Sequence, residues 1–443
     1  MNPHEYTQVN DRTFLFSGHE LPEDERELIR LRRDFHRHPE SAWTEYRTTA
    51  VILRELRAAG IPVLYGPSLH EPSCMYGLPR PEAAEEAFRR AAGELGGDGE
   101  ILPMRGGFTG CMAIIEGGLP GPVKILRVDI DCNEVAESRS AEHRPFREGF
   151  SSVHEGLTHA CGHDGHAAIG VVTAKMIARH RDRLPGTVKI LFQPGEEGLR
   201  GAASMAAAGV ADDVSFLFGG HLGLTLTKPG AVAASAVAIL SSTKLDLRFE
   251  GKAAHAGMYP QLGRNALGAA AAAVTNMLAI ARHGDGASRI NIGTLHAGSG
   301  RNVIPSSAEM RLETRGETAE INRYMLGEVR RIARAAADMY GCSLTETIMG
   351  SADSAESSPA LVEHEMALLR QMKEVGEVIR EQKFGAGEDV TTLMQVVQDR
   401  GGQAAELMFG TPLAAPHHNG SFDFDEAVLL LAAKVFAEIM FSL

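Results

Sequence analysis

Four short apolar runs, at residues 123–128, 188–192, 214–218 and 406–409, constrain this chain most. Each is bordered by Gly or Pro, and helix-patterned segments separate them, with charged and apolar residues recurring at helical spacing over 23–37, 81–95 and 164–180. Runs this short, alternating with helices, specify buried strands of an α/β sheet. All four end beside acids or histidines: Asp129 after the first, Glu196 and Glu197 after the second, His221 after the third, His417 and His418 after the fourth. Ligands in open α/β sheets gather beyond the carboxyl ends of the strands, so one sheet edge could collect all of these side chains.

The rhythm changes between 236 and 350. Strand-like runs at 244–249, 289–295, 308–314 and 343–348 surround two helical stretches, 264–282 and 319–339, which make a compact α+β unit inserted into the first domain. The expected division is therefore 1–235 with 351–443 as one discontinuous domain and 236–350 as the insertion, with 350–358 as the return linker. A length of 443 residues agrees with two or three domains at about 150 residues each. A net charge of −13 lacks the basic face that nucleic acid or an anionic membrane would need. The most apolar stretch, 265–281, contains Thr275 and Asn276 and falls short of the ~20 apolar residues of a membrane span. Residues 1–16 carry no secretory signal pattern, which makes the cytoplasm the expected compartment. Five scattered cysteines suit reduced thiols or a metal ligand better than a disulfide framework.

Two motifs carry chemistry. In His159-Ala-Cys161-Gly-His163-Asp164-Gly-His166, residues two apart share a side of an extended segment, so Cys161 and His163 can face one point while Asp164 caps the helix that follows. A thiol and several imidazoles this close are costly to bury unless something such as a metal ion satisfies them. In Gln193-Pro-Gly-Glu196-Glu197, adjacent carboxylates point in different directions, so that one can bind a cation while the other takes a proton from water. Competing motifs fail: Asp129-Ile-Asp131 imitates a calcium loop, but Glu134 stands where Gly is needed. No His-Glu-x-x-His pair, Gly-x-Ser-x-Gly elbow or P-loop is present.

Seven stretches resemble, in order, the co-catalytic metallopeptidases and amidohydrolases that include aminoacylases, carboxypeptidase G, hippurate hydrolases and indoleacetyl-amino-acid hydrolases. They are 34–40, 127–131, 159–166, 193–197, 254–257, 263–266 and 301–305. The resemblance implies a catalytic domain with a mixed central sheet flanked by helices, and an inserted α+β lid or dimerisation domain. It implies that Cys161, His163, Glu197, His221 and His418 hold two divalent metal ions, zinc or manganese, with cobalt or nickel as alternatives. Glu196 matches the general base, Asp129 the acid that orients a metal ligand, and His255 the histidine that reaches the substrate carbonyl, in related enzymes from the partner chain of a dimer. Asn302 and Arg315 match substrate-binding positions, although Arg315 could instead be a structural ion-pair partner. His417 could replace His418 as the ligand, but His418-Asn-x-x-Phe fits the family spacing; His166 reads as a packing or capping residue. Gly195 stands where Ala is usual, and Cys132-Asn133 where Ala-Leu is usual.

The implied reaction is hydrolysis of an N-acyl or aroyl amino acid by a homodimer, or by a heterodimer with a homologous second subunit. The stretches 81–95, 106–110, 146–150, 286–293 and 417–425 narrow the resemblance to the branch acting on p-aminobenzoyl-glutamate. Acetyl, hippuryl or indoleacetyl conjugates and dipeptides are alternative substrates. A non-catalytic metal-binding relative is the alternative outside enzymes, and retention of a base at Glu196 speaks against it.

Overall fold

The computed structural model describes residues 15–16 and 21–443, so most of the stretch read for a secretory signal lies outside the described residues. The chain divides into two compact units: the residues up to Ala238 with Ala355–Gly385 and Asp389–Leu443, and Ile239–Ser354 with Ala386–Glu388.

In the first unit, strands β1 (Val63–Tyr65), β2 (Cys111–Glu116), β3 (Leu119–Asp129), β4 (Pro185–Gln193), β5 (Phe216–Leu222) and β6 (Ala231–Ala233) precede the insertion, as does the two-residue β7 (Ala236–Val237). The second unit carries β8 (Ser241–Glu250), β9 (Ser288–Ala297), β10 (Ser307–Gly316) and β11 (Ser343–Ala352). The chain then returns to the first unit with β12 (Glu377–Ile379), β13 (Gln382–Lys383) and β14 (Gln403–Phe409).

The large sheet has the order β1-β2-β4-β3-β5-β14-β6-β12. Its four middle strands, β4, β3, β5 and β14, run parallel, while β2 and β6 pair antiparallel on either side. It is thus the mixed sheet that the sequence leads one to expect. Because the parallel strands are in register, with Asp129 opposite Gln193 and Leu222 opposite Phe409, their carboxyl ends form one edge.

The third strand differs from its sequence reading. Gly219 and Gly220 looked like its terminator, yet β5 runs through them and carries His221 inside the strand. Close packing is the reason: a Cβ on Gly219 would lie 2.1 Å from the Glu406 carboxylate, and one on Gly220 would lie 2.7 Å from the Phe436 ring. These glycines mark close approach in a buried strand.

Helix Leu21–Arg37 is anchored where it meets the site. Arg32 is fully buried and donates to Asp164 (2.9 Å), Asp423 (2.7 Å) and Glu426 (3.2 Å), which ties the first turn of helix His163–Arg179 to the C-terminal loop. The second unit is an antiparallel sheet, β11-β8-β10-β9, carrying helices Ala266–Leu278 and Ala319–Tyr340. Alternate residues Leu245, Leu247 and Phe249 of β8 and Met310 and Leu312 of β10 meet Ala266, Ala269, Ala270, Ala273 and Met277 at helical spacing. Among the described residues no helix is long and apolar enough to cross a membrane.

Candidate metal centre

His163 opens its helix beyond the sheet edge. Its Nδ1 faces the Asp131 carbonyl at 3.0 Å and the Asp131 carboxylate at 3.3 Å. A carbonyl can only accept, so Nδ1 carries a ring proton, and in the neutral ring it is Nε2 that keeps the lone pair. That Nε2 is buried without a hydrogen-bond partner. His221, on β5, repeats the arrangement: its Nδ1 donates to the Leu222 carbonyl at 2.9 Å, and its Nε2 lies 3.6 Å from the Cys161 sulfur.

The paired glutamates follow β4 on a tight loop. Gly195 has φ of +65°, the left-handed region that glycine adopts without strain. Its N–H donates to Glu45 at 2.9 Å. The next two amides, of Glu196 and Glu197, donate to the two oxygens of Asp131 at 3.1 and 2.9 Å. One carboxylate therefore fixes both the loop and the His163 ring. His418 is exposed, has φ of +61°, donates its own N–H to the Ala160 carbonyl, and brings Nε2 to 3.5 Å from Glu197.

Among the described residues, five sets of donor atoms lie within 4.8 Å of one another, and three of them are Cys161, His163 and His221; Cys161, Glu197 and His418; and His163, Glu196 and Glu197. These three overlap at Cys161, His163 and Glu197, as two neighbouring cations sharing ligands would require. A thiol, imidazole nitrogens and carboxylates are a donor set for divalent ions, and the buried His163 Nε2, which has no hydrogen-bond partner, needs such an ion. The residues fit the metal ions implied by the family resemblance.

Asp129 and His166 form a supporting pair. The Leu222 amide, which can only donate, gives its proton to His166 Nε2 at 3.1 Å, so His166 Nδ1 donates to Asp129 at 2.6 Å. Both nitrogens are occupied, and His166 has no lone pair to offer. Asp129 also accepts from Arg127 at 2.7 Å and stands 3.6 Å from His163 Nδ1. Burial pushes its pKa up, but the charges of His163, His166 and Arg127 outweigh that and hold it well below the usual range.

The electrostatics split the histidines. Burial and the neighbouring His166 and His417 push His221 well below its usual value. At His163 burial acts in the same sense but is outweighed by Asp129 and Cys161, and the pKa rises. Hydrogen bonds to Cys161 and Glu197 push His418 up to about 10, whereas burial pushes His417 down to about 4. His417 packs against the rings of His221 and Phe422 and joins none of these donor sets.

His255, Asn302 and Arg315 belong to the second unit. His255 is exposed, and its Nδ1 accepts from the amides of Gly257 (3.2 Å) and Met258 (3.0 Å), which puts the ring proton on Nε2 as a free donor. Asn302 stands beside it, bonded through its carbonyl to the Ala256 amide. Arg315 donates two hydrogen bonds to Glu313, at 3.0 and 3.1 Å.

Two residues of the site went unread in the sequence. Asp131 lay in the Asp-Ile-Asp motif, whose two-residue spacing puts it on the face of Asp129. Glu45 had no local signal. It is fully buried, accepts from Thr109 at 2.6 Å as well as from Gly195, and its pKa is raised well above the usual range by burial and by Asp131.

Such a sheet edge can hold divalent metal ions beside a carboxylate able to take a proton from water, the chemistry of hydrolases of the metallopeptidase and amidohydrolase type. The model of peptidase family M20/M25/M40 matches residues 125–442, and the chain belongs to that family. It is 42% identical to the indole-3-acetyl-aspartic acid hydrolase of Enterobacter agglomerans, over 93% of this chain and 94% of the relative. It is also 42% identical to one of the subunits of the p-aminobenzoyl-glutamate hydrolase of Escherichia coli (strain K12), with the same coverage. The solved aminobenzoyl-glutamate utilization protein from Klebsiella pneumoniae is similar with a TM-score of 0.81 and 35% identity, over 95% of this chain and 96% of that one.

Proposed function

We propose that this chain hydrolyses the amide bond between an acyl or aroyl group and an acidic amino acid, with p-aminobenzoyl-glutamate as its substrate. The reading rests on the convergence of the Cys161 sulfur, the Nε2 atoms of His163 and His221, and the carboxylates of Glu196 and Glu197 at one sheet edge. Cys161, His163, Glu197, His221 and His418 hold two divalent ions, zinc or manganese, with cobalt or nickel able to substitute. Such ions supply Lewis acidity, polarising a carbonyl oxygen and lowering the pKa of water toward ~7.

Glu196 takes the proton from the attacking water at a carboxylate oxygen and returns it to the leaving nitrogen. Asp131 keeps that carboxylate in place through the loop amides. His255 donates its Nε2 proton in a hydrogen bond to the carbonyl oxygen as negative charge grows there. Asn302 and Arg315 orient the amino-acid carboxylate, Arg315 after exchanging Glu313 for substrate. The two groups stand apart: Asn302 precedes β10 and Arg315 sits near its far end, eight residues after Ser307, or roughly 27 Å along the strand. One small substrate cannot touch both in a single chain, which supports a homodimer or a heterodimer with a homologous second chain. We assign the second unit the lid and dimerisation role on the same ground.

A substrate panel tests the reading. The metal-loaded protein is expected to cleave p-aminobenzoyl-glutamate with higher kcat/KM than indoleacetyl-aspartate, N-acetyl or hippuryl amino acids, and to lose activity to a chelator. The equal identity to the indole-3-acetyl-aspartic acid hydrolase favours indoleacetyl-aspartate as the second reading. Cleavage of no conjugate with any of the four metals overturns the proposal.

A further inference from the structure

The substrate class proposed above is a dianion approaching a chain of net charge −13, so each of its carboxylates needs a local cation. Among the described residues, several arginines are already committed to carboxylates. Arg127 binds Asp129 and Asp389, Arg32 binds Asp164, Asp423 and Glu426, and Arg47 binds Asp34. Arg315 is held by Glu313.

Arg200 is different. It lies on the loop of the paired glutamates, is half-buried, and has no carboxylate partner among the described residues. Its side chain folds back over Gly198, the residue after Glu197: a Cβ added to Gly198 would lie 2.7 Å from Arg200 Nε and 3.3 Å from its Nη2. With φ of +92° and no side chain, Gly198 makes the space in which the guanidinium rests. Consecutive Cα atoms are about 3.8 Å apart, which brings the guanidinium within roughly 9 Å of the Glu197 Cα. Nη1 donates to the Gly77 carbonyl at 3.2 Å, so the segment before helix Pro81–Leu95 fixes its direction. A guanidinium has five N–H donors, and this contact uses one of them.

We propose that Arg200 binds the side-chain carboxylate of the substrate's amino acid and so selects acidic over neutral conjugates. The inference rests on the proposed amidohydrolase function and adds to it a specificity determinant outside the second unit. A glutamyl side-chain carboxylate lies roughly 5 Å from the scissile nitrogen when extended, which a cation on the loop of Glu196 can meet. A planar guanidinium offers the carboxylate two parallel hydrogen bonds, whereas a neutral amide cannot accept both. Arg200 needs no bond-making role, so its loss should appear in KM rather than kcat.

The test compares p-aminobenzoyl-glutamate with p-aminobenzoyl-glutamine, which has nearly the same shape without the side-chain charge. Arg200→Ala is expected to raise KM for the glutamate conjugate by roughly 10- to 100-fold, to leave kcat within about threefold, and to leave the glutamine conjugate unchanged. Arg200→Lys should recover part of the loss, because a point charge remains. Equal losses on both substrates would mean that Arg200 acts only through its tether to Gly77, and no change on either would mean that it does not touch substrate. Either result overturns the Arg200 proposal while leaving the amidohydrolase reading intact. Failure of the metal-loaded, unaltered enzyme on these two conjugates and on every other conjugate of the substrate panel would remove the reading itself.

Discussion

His163 and His221 carry their ring protons on the same atom for the same reason: each Nδ1 faces a backbone carbonyl, and a carbonyl cannot donate. Backbone geometry thus sets which nitrogen of each ring, once neutral, offers its lone pair toward Cys161. Glu196 is placed by a similar device, since its own amide and that of Glu197 are held by Asp131. The carboxylate we propose as the base, fixed this way, can be changed without disturbing the ligands we assign. Glu196→Gln, nearly isosteric, is expected to lower kcat by ~10²–10⁴ with metal content unchanged by elemental analysis. Retained activity would show that another group takes the proton.

At the scale of elements, buried ion pairs decide how helices meet the site. His36, near the end of helix Leu21–Arg37, gives one ring nitrogen to Asp164 (2.8 Å) and the other to Glu137 (2.9 Å), and His143 also bonds Glu137 at 2.9 Å. Burial lowers the His36 pKa, but these two carboxylates outweigh it and raise it, so the ring donates from both nitrogens. For Glu137 burial raises the pKa, and the hydrogen bonds from His143 and His36 overcome this and bring it to about 2. A depressed carboxylate pKa stabilises the fold above the unfolded value of 4.5, and that contribution disappears as pH falls through about 2. Glu137→Gln should therefore be less stable than the unaltered protein in urea unfolding at about pH 6, with the gap narrowing as pH falls from about 5 to about 2. A gap that stays constant with pH would assign the loss to packing instead.

For the whole molecule, the strand β10 raises the main question. His255 and Asn302 stand before it and Arg315 near its far end, so the joint service to one substrate that we propose for them would call for two copies. If so, a mixture of Glu196→Gln and His255→Ala chains, each inactive alone, should regain about a quarter of normal activity on dissociation and reassociation, because one site of each mixed dimer escapes both changes. Mixtures no more active than their parts would show that each chain serves its own site.

The sequence by itself determined the layers and the chemistry. Short apolar runs alternating with helical segments pointed to buried strands, and the Cys161-His163 and Glu196-Glu197 motifs to metal chemistry, while His221 and His418 entered the ligand set through the family resemblance. The strands and helices of the second unit were legible too, because they are long and regularly patterned. Only the tertiary structure decided what the site's side chains face. Asp131 reaches amides 65 and 66 residues away, and Glu45 reaches one 150 residues away, so no local pattern records either contact. Gly219 and Gly220 read as a terminator because a turn and a crowded strand both call for glycine, and only the positions of Glu406 and Phe436 tell them apart. The same holds for the arginines: sequence gives each a charge, but whether a carboxylate already holds it, as at Arg315, or none does, as at Arg200, depends on the folded neighbourhood.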